Sequence, residues 1–352
     1  MRPEYILGIV LVVIVGAGLL VLPAGKMQSA ASTIPGVYPK YNEIAKPAGF
    51  VNSDPFQLKD VVGKKVILLD FVTYSCINCQ RTFPYLNKWY EEYKDDGLLI
   101  VGIHTPEFAF EHDINNVRAA AAKFGLKFPL VLDNEYATWN AYGNQYWPRK
   151  YLIDIHGNIV YDHIGEGNYD ETEVQIVKAL NERKQFLAEG GGVVAKMDTP
   201  KDAPNFDPSM VKSPETYLGG ARAQYLVNSP SSACASGTCT YKYKGTDVPQ
   251  GYQLSGSWMT DKEYITLTKG TGAIRISFNA NKVNLVAGAD QAVRARIMLD
   301  GKDLGLITIK ESILYVLADL TPAKGEPLPA TDHILEIQFL DPGVKAYAFT
   351  FG

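Results

Sequence analysis

Residues 70–96 read "DFVTYSCINCQRTFPYLNKWYEEYKDD". The run "KKVILLDFVT", residues 64–73, leads into this stretch and is almost continuously apolar. That is the pattern of a strand buried on both faces of a sheet. Beyond the cysteines, Phe83, Leu86, Tyr90 and Tyr93 recur at helical spacing, and Gly97 closes the run. Cys76 and Cys79 therefore fall at a strand-to-helix junction. Cys76 is placed at the helix start, where unpaired backbone N–H groups and the helix dipole favour a thiolate. Cys79 follows one turn later on the same side. The thiolate is the nucleophile of disulfide exchange. This spacing suits attack by Cys76 and resolution by Cys79. A metal half-site and a purely structural disulfide are the competing readings of the pair.

Working outward, the pattern alternates strands and helices. "GLLIVGIHT" (97–105) reads as a second buried strand, "INNVRAAAAKFG" (114–125) as a helix closed by Gly125, and "FPLVLD" (128–133) as a short strand. "EYATWNAYG" (135–143) reads as a short helix. "RKYLIDIHGNIVYDHIG" (149–165) reads as a hairpin around His156, Gly157 and Asn158. "DETEVQIVKALNERKQFL" (170–187) is an amphipathic helix with acidic residues in its first turn. This alternation predicts an α/β domain over 49–188. A linker rich in Gly, Pro, Asp and Lys follows over 189–213. Residues 214–352 change to alternating strands with Gly, Asn and Asp between them, as in "GAIRISFNA", "AVRARIMLD" and "HILEIQFL". They predict an all-β sandwich of jelly-roll type.

The first residues bear on the compartment. From Ile6 to Gly25 the chain carries no charge, and its apolar stretch, Ile6–Leu22, is near the lower limit for a membrane span. Residues 1–25 are read as a transmembrane anchor or a signal segment, with "QSAAS" offering cleavage after Ala31, and 26–48 as a tether. Either way the body of the chain is expected outside the cytoplasm, in the periplasm or on the outer cell surface. The net charge of −4, with no basic run, gives no electrostatic case for nucleic acid. An oxidising compartment permits disulfides. Cys234 and Cys239, in the short polar loop "SSACASGTCTYKYKG", are read as a local structural disulfide. A zinc site would want a second ligand pair near Cys76 and Cys79. A c-type haem site would need His at position 80, which is Gln. No cofactor is expected beyond a redox-active disulfide between Cys76 and Cys79.

The cysteine stretch resembles the thioredoxin superfamily. In that family a buried acid six residues before the first cysteine accepts the proton of the second, and Asp70 matches it. Pro84 matches the proline that kinks the active-site helix. Pro148, in "YWPRKYLID", matches the cis-proline whose loop holds the substrate backbone. The added strand and helix over about 98–125 resemble the membrane-tethered TlpA and ResA type. "GIHTPEFAFEHD", "YATWNAYGNQYWP" and "FLDPGVKAYAFTFG" are similar to the exported part of the DipZ family, where a carbohydrate-binding-module-like domain follows the thioredoxin-like one. The resemblance implies a reducing role toward protein disulfides, with cytochrome c biogenesis or repair of envelope proteins as settings. It also implies substrate contact at Trp147 and at Tyr74. Two departures stand out. Position 75 is Ser where such proteins place Trp, so Tyr74 is expected to supply aromatic surface. The chain also lacks the CcdA-type multi-span domain of DipZ proteins, which implies a separate CcdA- or DsbD-like transmembrane electron donor.

Other residues are read more plainly. His104, at a strand end, is taken as a satisfied structural residue, and Glu166 as a helix-start acid. Trp139, Tyr142 and Tyr146 are taken to pack the core or line the cis-proline groove, and Arg149 as a solvated edge charge. Trp258, Tyr264 and Tyr347 are possible glycan platforms, although filling the core of the β domain is the simpler expectation. Two other functions are weighed. One is a thiol peroxidase, since Thr73 and Cys76 have the right spacing, but position 69 is Leu where that motif wants Pro. The other is a non-enzymatic glycan-binding envelope protein.

Overall fold

The computed structural model describes residues 38–245, 251–321 and 331–352. The apolar segment Ile6–Leu22 and residues 26–37 of the tether lie outside these residues. Among the described residues, no helix is long and apolar enough to cross a membrane.

The first sheet has six strands: β1 (Gly49–Val51), β2 (Val66–Val72), β3 (Leu98–His104), β4 (Leu130–Leu132), β5 (Arg149–Ile153) and β6 (Ile159–Ile164). Their order is β1-β4-β3-β2-β5-β6. β2 is central, buried at every residue, parallel to β3 and antiparallel to β5. Its continuous apolar run is the signature of a strand with both faces covered. Four helices accompany the sheet: α1 (Ile77–Tyr93), α2 (Ile114–Lys123), α3 (Ala137–Ala141) and α4 (Tyr169–Phe186). One core lies between β2, α1 and α4, with Leu68, Phe83, Leu86, Trp89 and Leu180 in it. A second core, with Phe71, Trp139, Tyr142 and Tyr151, fills the opposite face. The result is the expected α/β thioredoxin-like arrangement. β1, an antiparallel partner of β4, was not foreseen. Three residues carry too little periodicity to announce a strand.

The second half departs from the sandwich expectation. Its strands are β7 (Thr216–Tyr217), β8 (Thr238–Tyr241), β9 (Gly251–Thr260), β10 (Ile265–Phe278), β11 (Lys282–Ala289), β12 (Val293–Leu299), β13 (Lys302–Ile309), β14 (Ile313–Asp319), β15 (His333–Phe339) and β16 (Val344–Phe351). Hydrogen bonds join all ten in one antiparallel sheet, nearly barrel-shaped, rather than in two separate layers. The reason lies in β10. It is 14 residues long and pairs with β9, β15 and β16, so one strand serves what a sandwich would divide. Its register against β9 shifts twice between Leu267 and Ala273. Such irregularities bend a strand and raise its twist. Gly256 and Gly272 make that bend possible. A Cβ on Gly256 would stand 2.8 Å from the Gly272 Cα, and Gly256 has φ 102°. One apolar core fills the enclosed side, including Leu254, Trp258, Ile274, Ile297, Ile337 and Phe339.

Trp258 and Tyr347 are buried at 1% and 4% exposure, so neither ring offers a flat exposed platform. Tyr347 instead joins the two halves. Phe108 and Phe110, from the loop after β3, pack against its ring at 5.1 and 4.9 Å between centroids. The Ala109 N–H donates to Glu263 at 2.8 Å, and Glu107 accepts from the Tyr217 hydroxyl and from Arg222.

Candidate active site

The geometry starts with the helix. Cys76 is the N-cap of α1, in extended backbone, and its carbonyl accepts from the Gln80 N–H at 3.0 Å. Cys79, inside the first turn, is fully buried, whereas Cys76 is half-buried. Both are free thiols. Burial pushes the Cys79 thiol well up, and the hydrogen bond with Cys76 adds to this. The two sulfurs are thus unequal: one faces outward at a helix N-terminus and the other sits in the core. Pro84 lies inside α1.

Asp70 sits in the middle of β2 with no exposure, between Gly102 on β3 and Lys150 on β5. Its carboxyl is pushed up to about 6 by burial, against the pull of Lys150. The two charged groups stand 3.7 Å apart, both fully buried. Among the described residues, neither Asp70 oxygen nor the Lys150 Nζ makes a hydrogen bond. Asp70 is near enough to Cys79 to raise that thiol further. Lys150 escaped the sequence reading. It is the second residue after Pro148, next to Arg149 on β5, and a buried lysine cannot be told from an edge lysine by pattern.

The Trp147–Pro148 peptide is cis. Pro148 is buried and Trp147 half-buried, its indole N–H donating to the Thr105 carbonyl at 3.1 Å. The Trp147 ring lies 4.3 Å from that of Trp139. Trp139 and Tyr142 belong to the core, while Tyr146 is exposed.

Tyr74 departs from its expected role. It is only 4% exposed, so it offers little aromatic surface to a partner. The turn between β13 and β14 covers it, and its hydroxyl donates to the Ser312 carbonyl at 3.1 Å. The ring stacks on His104 at 5.6 Å. His104 is not the hydrogen-bonded structural residue expected. It is buried, neither ring nitrogen has a hydrogen-bond partner among the described residues, and burial lowers it to about 3. It is therefore a neutral imidazole at any ordinary pH.

Glu166 is more than a helix-start acid. It takes two hydrogen bonds from Arg81 on α1, at 2.6 and 2.7 Å, and Arg81 also donates to Asn78, between the two cysteines. The Arg81 guanidinium stacks over the Phe206 ring at 3.7 Å, which brings the linker onto α1. Arg149 is no solvated edge charge either: it pairs with Asp162 at 2.7 Å, both largely covered.

The second cysteine pair is a disulfide between Cys234 and Cys239. It brackets a tight hairpin in which Ala235 and Thr238 exchange backbone hydrogen bonds, and Ser236 and Gly237 both have positive φ. That is the geometry of a two-residue hairpin turn.

Residues 45–180 match the Redoxin family, and residues 213–352 match the family described as "Thioredoxin like C-terminal domain". The thiol-disulfide oxidoreductase ResA of Bacillus thuringiensis is 34% identical over 122 residues, covering 35% of this chain and 67% of that protein. The chain belongs to the thioredoxin-like thiol-disulfide oxidoreductase family. Protein DipZ of Mycobacterium tuberculosis is 37% identical over 300 residues, across both halves. That match covers 85% of this chain and 40% of DipZ, so the chain spans about two fifths of the length of this relative. NHL repeat-containing protein 2 of Homo sapiens is 27% identical over 250 residues, covering 65% of this chain and 34% of that protein. The family membership accounts for the CxxC junction; the roles of individual residues rest on the geometry above.

Proposed function

We propose that this protein is an extracytoplasmic thiol–disulfide oxidoreductase that reduces protein disulfides. The observation that carries the reading is the inequality of the two thiols: Cys76 half-buried at the α1 N-terminus and Cys79 fully buried beside Asp70. The Cys76 thiolate attacks one sulfur of a substrate disulfide. A mixed disulfide forms and the other substrate sulfur leaves as a thiolate, which takes a proton. Cys79 then gives its proton to Asp70 and attacks the Cys76 sulfur. The Cys76–Cys79 disulfide forms and the second substrate thiol departs, so two electrons have passed to the substrate. A carboxyl held near 6 is suited to accept a proton from a thiol and release it again at neutral pH. Trp147, beside cis-Pro148, provides half-exposed aromatic surface for the substrate chain.

The apolar segment Ile6–Leu22 supports export and attachment to the membrane. The oxidised pair needs a dithiol donor, and a membrane electron donor of the CcdA or DsbD type supplies that chemistry. The test is turnover of a protein disulfide with a thiol donor. Wild type is expected to turn over, Cys79→Ser to accumulate the mixed disulfide at Cys76, and Cys76→Ser to do neither. Equal turnover by Cys76→Ser would sink the reading. Rapid peroxide consumption without protein-disulfide reduction would replace it with a peroxidase.

A further inference from the structure

We propose that Glu111 is a positioning residue of the dithiol, which holds the segment entering Cys76 and biases the Cys76–Cys79 pair toward its disulfide. This deepens the proposed function and rests on it. Glu111 is fully buried in the loop after β3. One carboxylate oxygen accepts from the Glu107 and Phe108 N–H groups, at 2.6 and 3.1 Å, which caps its own short helical turn. Capping explains that oxygen only. The other reaches a segment 36 residues earlier, accepting from the Ser75 N–H at 3.2 Å and the Ser75 hydroxyl at 2.6 Å. Ser75 directly precedes Cys76 and is itself buried. So the peptide that delivers the nucleophile hangs on this carboxylate.

Three of the four donors are backbone N–H groups, which can only donate, so the site is built for the ionised form. Burial pushes the Glu111 carboxyl up, and the hydrogen bonds from Ser75 and from the Phe108 and Glu107 N–H groups pull it back toward the ionised form. Among the described residues, no cation pairs with Glu111. Glu107 in the same loop is an acid whose charge is taken up by Arg222 at 2.8 Å, and Asp113 at the start of α2 is a second acid. Asp70 and Lys150 belong to the neighbouring strands β2 and β5, and His104, at the end of β3, is neutral. A fixed negative charge one peptide from Cys76 disfavours the thiolate found only in the reduced pair. The disulfide carries no such charge, so the equilibrium leans toward it and the dithiol becomes the stronger reductant.

The experiment is equilibration of full-length protein with reduced and oxidised glutathione at pH 8. Glu111→Gln keeps the shape and removes the charge. It is expected to shift the equilibrium toward the dithiol by about tenfold, or about 30 mV for a two-electron couple. Ser75→Ala keeps the charge, withdraws one donor, and is expected to shift it about threefold toward the disulfide. If both folded variants stay within about twofold of wild type, the inference is overturned. If Glu111→Gln does not fold, Ser75→Ala alone decides in the same way. A wild type that reduces no protein disulfide overturns the proposed function instead, whatever these equilibria show.

Discussion

The chain carries two cysteine pairs built to opposite ends. Cys234 and Cys239 face each other across a two-residue hairpin, Cys234 exposed and Cys239 resting on the β core, and they are bonded. Their neighbours are a polar loop and no displaced charge. Cys76 and Cys79 are free thiols on one helical turn, with one sulfur in the core and three unusual groups around them: Asp70 raised, Lys150 buried, His104 neutral. The hairpin pair staples. The helix pair is surrounded by groups that cost stability and have no structural return. Polar groups buried without hydrogen bonds are destabilising, and they concentrate where chemistry needs them.

That contrast can be broken most sharply by exchange kinetics. Cys76→Ser is expected to abolish protein-disulfide reduction, whereas the double change Cys234→Ser and Cys239→Ser leaves the rate within about twofold. Comparable losses in both, measured in one turnover assay, would remove the distinction.

Asp70 gives the next largest effect. Its folded value of about 6 lies above the usual 3.8, so folding takes up a proton between the two. Its contribution to stability is full below 3.8 and is lost as pH rises through 6. The stability difference between wild type and Asp70→Asn should therefore change by about 3 kcal/mol from pH 3.5 to pH 7.5, to the disadvantage of the aspartate at high pH. Denaturant unfolding at the two pH values reads this directly. In single turnover, Asp70→Asn should slow decay of the mixed disulfide by about 10²-fold near neutral pH, with attack by Cys76 much less affected. Slowing of both steps alike would mean that Asp70 acts through structure rather than as the proton acceptor.

The staple has its own expected magnitude. Its loop is very short, so losing the Cys234–Cys239 bond should cost about 2 kcal/mol, seen as a lower denaturation midpoint of the β half. Smallest is Tyr74→Phe, which removes one hydrogen bond to the Ser312 carbonyl and should cost about 1 kcal/mol. A larger loss, measured by unfolding, would show that the contact between the halves holds the dithiol loop in place.

Local pattern carried a good part of this protein. The apolar run of β2, the helical spacing after Cys79 and the alternation over 49–188 followed from neighbours within a few residues. Each is a short-range or periodic feature, and period 2 and period 3.6 are visible in one dimension. The acid six positions before Cys76 and the proline at 148 were singled out instead by the resemblance to the thioredoxin superfamily. The β half was legible as strands but not as a single sheet, because sharing of β10 among three partners is decided by bends at Gly256 and Gly272 and by pairing far along the chain.

The surroundings of the dithiol were decided only in three dimensions. Lys150 meets Asp70 across 80 residues of chain, Glu111 reaches Ser75 across 36, and Ser312 covers Tyr74 across 238. A buried lysine, a buried glutamate and a buried tyrosine read in sequence like their exposed counterparts. What separates them is the desolvation that packing imposes, and packing belongs to the whole fold. The residues of the CxxC junction were set by the sequence; the electrostatic environment in which its two sulfurs work was set by the tertiary structure.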